Sequence, residues 1–512
     1  MQQLTAHEAS FLHAETIHAN SNSTFVQIYD QSTAPGGQVR FKTILAHIES
    51  RLHLSPVFRS KLLHVPLALD EPYWVEDDDF DLEYHVRHIA LPRPGDWRQF
   101  CIQASRIHAR ALDLQRPLWE IYVIEGLDSI TDLPVGSFAL LTKIHHSAID
   151  VASRNDFIEV LHDSTRRPPK PVPPEPWFPE PAPRATSLLL RAGLNLALAP
   201  TKLIDPLLRK MPKAKAFVRD VLKPEQHVSA TRFNTVVSSH RVFDTRRFLI
   251  SEFEQIRTLV PGASLNDAVL AVCSGGLRRY LDLQGELPET DLEGNVPHSL
   301  DSVPTAARGS AAPRRVALGT QLADARQRLA RIHDQTLTSP PLKVPRLTPA
   351  SCTITHVAGP PTPVYLHGAR MTYFSAILPI ADGMGLVFAV TRYDGRIVIS
   401  PTSCRELMPN PQVFTQCVRD SFQEYLALAT PAEPAAPKGK ALANRSAKTS
   451  ANTSAKSSTA RPAAQLQAPL RSARPGGSSS DRSSPSARRA ETAATPLQPA
   501  TAVRRRSTAP RR

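Results

Sequence analysis

The stretch LTKIHHSAIDVASRND, residues Leu141–Asp156, decides how this chain is read. It closes the run FALLTKIH (Phe138–His145), rich in branched and aromatic residues, with a second histidine at 146 and an aspartate at 150. Such a run suits a strand. A period of two would set Phe138, Leu140, Thr142, Ile144 and His146 on one face and Lys143 and His145 on the other, so the two imidazoles point apart. An imidazole that titrates near neutrality is matched to taking a proton from an alcohol. A carboxylate nearby would fix its tautomer, or pair with an arginine and brace the loop. A metal needs converging ligands, which this divergence disfavours. A buried structural turn is the third reading of the pattern taken alone.

Other chemistry is thinly represented. No Gly-rich phosphate loop, no G-x-S-x-G elbow and no cysteine in a nucleophile context occurs in the sequence. The five cysteines, Cys101, Cys273, Cys352, Cys404 and Cys417, are odd in number and widely spaced, which suits a reducing compartment and neither a disulfide framework nor a zinc site. The start MQQLTAHEASF lacks the basic-then-apolar pattern of a secretory signal, and no run of about 18 apolar residues appears. A cytosolic protein able to lie on a membrane surface is expected.

The net charge of +14 is unevenly placed: residues 431–512 carry 16 Lys/Arg against 3 Asp/Glu, and the first 430 residues carry the remaining 45 against 44. The basic character belongs to this tail, which has no Phe, Trp or Tyr and is expected to be disordered. Its ending RRRSTAPRR would suit an anionic lipid surface or nucleic acid. The near-neutral body makes nucleic-acid binding accessory, and no specific nucleic-acid partner is expected.

Five segments follow from composition. Residues 1–163 mix helical and strand-like patterns: FKTILAHIESRLHLSPVFRSKLL has helical spacing, IYVIEGL and SFALLTKIH read as strands. Residues 164–185 form a crossover in which nine of the sixteen positions from Pro168 to Pro183 are proline. Residues 186–224 read as a basic amphipathic helical segment, with eight Lys/Arg and two Asp/Glu over Leu188–Lys223. It could rest in a lipid interface or on the protein's own core. Residues 225–430 form a second half, with a helix over SLNDAVLAVCSGGLRRYL whose Ala271, Ser274, Gly275 and Gly276 admit close packing. A hairpin follows at MGLVFAVTRY-DG-RIVIS, then a helix through VFTQCVRDSFQEYLALA. The tail completes the five.

Several blocks, in order, carry a resemblance: QLTAHEASFL, FDLEYHVRHIALPRPG, LDLQRPLWEIYVIEGL with Pro117-Leu118-Trp119, HHSAID, SLNDAVLAVCSGGLRRYL with Asn266-Asp267, THVAGPPTPVYLHGARM and RYDGRIVIS. Over roughly residues 1–430 the chain resembles the bacterial wax ester synthase/diacylglycerol acyltransferase family, within the chloramphenicol-acetyltransferase-like superfamily of CoA-dependent acyltransferases. The resemblance implies a two-domain α/β fold, each half a mixed sheet flanked by helices, with a channel between them. It places the family's HHxxxDG general base at His146, its neighbour at His145 and the structural carboxylate at Asp150. The implied reaction is direct transfer of a long-chain acyl group from acyl-CoA, a substrate and not a cofactor, to diacylglycerol or a fatty alcohol. No covalent intermediate, other cofactor or metal is implied.

The resemblance also suggests that Trp119 lines an acyl tunnel, with a core tryptophan as the alternative. Asn266 and Asp267 would support the active site or simply open their helix, since short polar side chains cap free amides. His85 and His88 read as structural or surface residues. Such substrates imply peripheral contact with the inner membrane or lipid droplets from the cytoplasm. Three departures bear on activity: Val151 stands where the family has glycine, Leu300-Asp301 where an arginine is expected, and the route from ARIHDQT to THVAGP is short. Two alternatives follow: a superfamily acyltransferase with another acceptor, and a catalytically impaired paralogue that binds lipid or granules.

Overall fold

The computed structural model describes residues 1–149, 154–168, 176–198, 231–297, 314–340 and 350–430. The chain opens with β1 (Gln2–Gln3), α1 (Ala6–Ala14), β2 (Asn22–Asp30), α2 (Phe41–Glu49), β3 (Ser60–Leu63) and β4 (Tyr73–Glu76). Next come α3 (Leu82–His85), β5 (Val86–Ala90), α4 (Trp97–Ala109), β6 (Trp119–Glu125), β7 (Phe138–His145), α5 (His146–Ile149) and α6 (Arg154–Leu161). After α7 (Ala185–Leu198) follow β8 (Arg241–Phe243), β9 (Arg246–Leu249), α8 (Ile250–Arg257), α9 (Leu265–Leu283), β10 (Glu293–Val296), β11 (Arg314–Ala317) and α10 (Ala325–Thr338). The body closes with β12 (Cys352–Val357), β13 (Tyr365–Leu366), β14 (Ala369–Ile377), β15 (Val387–Tyr393), β16 (Arg396–Cys404) and α11 (Pro411–Ala429).

Two large mixed sheets organise these elements. One runs β13-β14-β2-β7-β6-β5, the other β11-β10-β12-β15-β16-β8 with β9 alongside β16, and a small sheet β1-β4-β3 stands apart. In the first sheet β2 and β7 are central, and every residue of β7 is buried. Phe25, Tyr29, Leu140 and Ile144 pack on one face, and Val26, Ile28, Ala139 and Leu141 on the other against Phe100 and Ile107 of α4. Strands covered on both faces read as largely apolar runs, and FALLTKI is apolar at five of its seven positions, with Thr142 and Lys143 buried as well.

The first sheet takes strands from both halves of the chain. β14 pairs antiparallel with β2 from Arg370↔Asp30 to Ile377↔Thr24. The hairpin expected around Asp394-Gly395 joins β15 to β16, with φ of +47° and +72° at the two turn residues, the geometry that favours Asp-Gly. The helical spacing over residues 41–63 holds only through Glu49. Short 3-10 turns at Leu52–Leu54 and Pro56–Phe58 follow, where Pro56 supplies no amide donor, and Ser60–Leu63 is a strand.

Helix α9 packs against α11 through the small residues the sequence singled out. A Cβ on Gly276 would fall 2.9 Å from Val418 Cα, and one on Gly275 would fall 2.2 Å from Ser421 Oγ. Helix α7 lies on the small sheet: Leu188 and Ala192 are buried against Val65, Tyr73 and Val75, and Asn195 donates to Asp70 at 2.7 Å. The tail lies outside the described residues, as does everything from 199 to 230.

Candidate active site

The expected strand ends one residue early. β7 stops at His145 and α5 begins at His146, so the divergence of the two rings comes from a strand-to-helix switch and not from alternation within a strand. The backbone fixes the switch on both sides: the His145 amide donates to Leu118 O at 3.0 Å and the His146 amide to Ser21 O at 2.9 Å.

His145 is buried and fully engaged. Its Nδ1 accepts from the Ser147 amide at 3.1 Å and faces the Ser147 hydroxyl at 2.8 Å, so Nε2 carries the proton and donates to Glu15 Oε1 at 3.1 Å. Burial pushes the Glu15 carboxyl upward, yet the His145 and Ser21 hydrogen bonds and the nearby Lys143 charge outweigh it and hold that carboxyl below its usual range. Ser147, His145 and Glu15 line up in the order of a hydrolytic triad. Ser147 and His145 are both sealed from solvent, so the trio cannot meet a substrate and serves to lock the turn.

His146 is half-buried and opens α5. Its Nδ1 lies 3.1 Å from Ser23 Oγ, and its ring packs on Phe11 with centroids 4.8 Å apart. Ser23 comes within reach because β2 runs antiparallel to β7 with Asn22 opposite His145 and Ser23 opposite Ile144. In the tautomer in which Nδ1 donates to this hydroxyl, Nε2 is the basic nitrogen. Asp150 and Val151 lie outside the described residues.

Trp119 begins β6 opposite Ile144, two positions from His146. It is completely buried, donates from Nε1 to Phe58 O at 3.0 Å, and packs edge-on against Phe58 and face-on to His85, with centroids 5.4 and 4.5 Å away. The Trp119 carbonyl accepts from His85 Nδ1 at 2.7 Å, and burial lowers the pKa of His85. His88 faces Glu125 at 3.2 Å on the surface. These contacts make Trp119 the hub of an aromatic core that supports the end of β7.

Asp267 sits elsewhere, in the first turn of α9. Ser264 caps the helix: its hydroxyl accepts from the Asp267 amide, and the Asp267 carboxylate accepts from the Ser264 amide. The same carboxylate holds His333 Nδ1 at 2.9 Å and Thr336 Oγ1 at 2.7 Å, pinning α9 to α10. Asn266 is buried beside it. Among the described residues no group of three or more His, Cys, Asp or Glu converges as a metal site. Sequence reasoning did not single out Ser23, Glu15, Ser147 or Phe11. Their roles depend on the pairing of β2 with β7 and on the docking of α1, which no local pattern announces.

Residues 4–269 match the catalytic domain of wax ester synthase/diacylglycerol acyltransferase, and residues 318–425 match the C-terminal domain of the same group. The chain belongs to the wax ester synthase/diacylglycerol acyltransferase family. A Mycobacterium tuberculosis relative assigned to the diacylglycerol O-acyltransferases is 32% identical over 308 residues, which are 58% of this chain and 63% of that protein, so the match spans less than two thirds of that relative's length. The O-acyltransferase WSD of Acinetobacter baylyi is 28% identical over 409 residues, 71% of this chain and 86% of that one. The wax ester synthase/diacylglycerol acyltransferase structure from Marinobacter aquaeolei VT8 superposes with a TM-score of 0.63 at 22% identity, covering 84% of this chain and all of that one, and shares the fold. Of the two histidines in this match, His146 is half-buried and His145 is fully buried.

Proposed function

We propose that the protein is an acyl-CoA-dependent O-acyltransferase that uses His146 as general base. The observation that carries this reading is the setting of His146. Its ring is fixed at the end of the central strand with Nδ1 on Ser23, while its neighbour His145 is consumed in the buried Glu15–Ser147 brace. An alcohol hydroxyl gives its proton to Nε2 as its oxygen attacks the thioester carbonyl and forms the new C–O bond. The tetrahedral oxyanion collapses, the C–S bond breaks, and the CoA thiolate leaves with the proton returned by the imidazolium. No enzyme nucleophile enters the sequence. The acceptor is the hydroxyl of diacylglycerol or of a fatty alcohol, giving a triacylglycerol or a wax ester.

Such acceptors reside in lipid, and helix α7 supports peripheral contact with it. Its inner face is satisfied on the small sheet, whereas Leu190 and Leu194 are 68% and 57% exposed and Leu67 of the adjoining turn is 73% exposed. Arg184 and Arg191 flank these leucines, the arrangement of an interfacial helix on an anionic surface. No helix among the described residues is long and apolar enough to cross a membrane. The test uses purified protein with palmitoyl-CoA and either dioleoylglycerol or hexadecanol, following both thiol release and lipid products. Acceptor-dependent release with an ester product is expected. A native protein that binds these lipids without acceptor-dependent release would instead be the impaired, lipid-binding relative that Leu300-Asp301 and the short route from ARIHDQT to THVAGP raise as the alternative.

A further inference from the structure

A cleft of about 440 Å³ lies at the end of the first sheet remote from His146, lined by Thr43, His47 and Arg51 of the α2 region, by Asp163, Arg166 and Arg167 after α6, and by His367 in the β13–β14 turn. From the Asn22↔His145 pair to the Tyr29↔Phe138 pair is seven residue steps of β2 and β7. At roughly 3.3 Å per residue this spans about 23 Å. The cleft therefore does not touch the reacting atoms at His146.

Its walls are built firmly. Arg51 pairs with Asp163 and donates to Val160 O at 3.1 Å, and His47 Nε2 donates to Leu161 O at 2.9 Å. Those contacts neutralise the carboxylate and cover the carbonyl end of α6, which would otherwise repel an anion. Asp163 is further tied to Tyr365 by paired backbone hydrogen bonds of 2.8 and 2.9 Å. The turn that presents His367 is pressed against the opposite wall. A Cβ on Gly368, at φ +85°, would fall 2.7 Å from Pro35 Cδ and 3.0 Å from the Arg166 carbonyl oxygen.

The rim differs from this neutralised floor. Arg166 anchors one nitrogen, Nε, on Thr33 O, and among the described residues neither Arg166 nor Arg167 has a carboxylate partner. Both are exposed, as is His367, whose ring stands edge-on to His47 at 6.3 Å. Two uncompensated guanidinium groups and two imidazoles therefore converge on one opening, with apolar Pro35, Ala46 and Pro168 between them. Planar forks of N–H donors match phosphoryl oxygens, and the apolar patches fit a small organic body carrying them.

We propose that this cleft binds a phosphoryl group, a phosphomonoester or diphosphate borne on a small organic body. Two sources share that chemistry: the nucleotide end of a CoA molecule, which rests on the acyltransferase reading, and the glycerophosphate head of a lipid, which does not. Calorimetric titration of the full chain with CoA, with dephospho-CoA lacking the 3′-phosphate, and with glycerol 3-phosphate separates them. The native protein is compared with Arg166→Ala/Arg167→Ala, and with Arg167→Glu alone, which leaves the Arg166–Thr33 bond in place.

At least one probe should bind the native protein and lose roughly tenfold or more in affinity in both variants, as the loss of charge-assisted hydrogen bonds implies. A preference for CoA over dephospho-CoA that the variants abolish assigns the nucleotide end. Tighter binding of glycerol 3-phosphate, weakened in the variants, assigns the lipid head. No binding of any probe, or equal affinities in native and variant proteins, overturns the site. Turnover is measured separately. A native protein without acyl transfer but with variant-sensitive binding sinks the acyltransferase reading and leaves this site standing, and intact turnover with variant-insensitive binding does the reverse.

Discussion

At the scale of single residues, the two adjacent histidines are chemically unequal because their partners differ. On the proposed mechanism, Ser23 Oγ, 3.1 Å from His146 Nδ1, would accept from the imidazolium and stabilise it. Ser23→Ala should lower kcat about tenfold and shift the acid limb of the kcat/KM profile to lower pH, and Ser23→Thr should restore both. An unchanged pH profile in Ser23→Ala would show the hydroxyl to be a bystander. Lys143, sealed on the other face, gives a second pH test. Burial lowers its pKa to about 8, against the opposing pull of Glu120. Because the folded value lies below the unfolded one, its cost to stability is full below the folded pKa and disappears as pH rises from about 8 through the ordinary lysine range. Urea midpoints of the native protein should therefore gain on those of Lys143→Met over that interval, and a constant gap would contradict the assignment. At this scale the sequence makes the histidine pair visible and leaves its partners hidden. Glu15 and Ser23 lie 130 and 123 residues from the histidines they touch.

Among the elements, those with strong periodicity or turn chemistry were legible, and those whose limits depend on tertiary contact were not. The Asp394-Gly395 hairpin, the β6 and β7 runs and the small-residue face of α9 were all readable in the sequence. The end of α2 was not, because apolar residues continue at helical spacing into a strand that pairs with β4. Gly276→Ala should part α9 from α11 and cost roughly 1–3 kcal/mol, read from urea unfolding. Asp267→Ala removes half of a capping box and the ties to His333 and Thr336, a loss of roughly 2–3 kcal/mol. The folded fraction of Asp267→Ala should keep the native kcat. A fall in kcat with stability unchanged would place this carboxylate in contact with substrate instead.

For the whole molecule, the first half does not complete its own sheet: β14 (Ala369–Ile377) and the edge strand β13 join it beside β2 after more than two hundred residues of intervening chain. A reading by segments along the sequence cannot reveal that, whereas the ordered blocks of the family resemblance point to the fold without naming the exchange. The proposed lipid contact of α7 also belongs to this scale. Leu190→Glu/Leu194→Glu should reduce co-sedimentation with anionic vesicles roughly tenfold or more, since two exposed leucines lose their insertion into lipid and like-charge repulsion is added, while turnover of short soluble substrates is unchanged. Equal sedimentation would move lipid contact away from α7. The central claim is that His146, and no other side chain, removes the acceptor's proton. It is tested most directly by the rate of acceptor-dependent CoA release from palmitoyl-CoA in the native protein and in His146→Ala. A loss of about 10²–10⁴-fold in kcat is expected, with the fold intact. Release at the native rate from His146→Ala would contradict it.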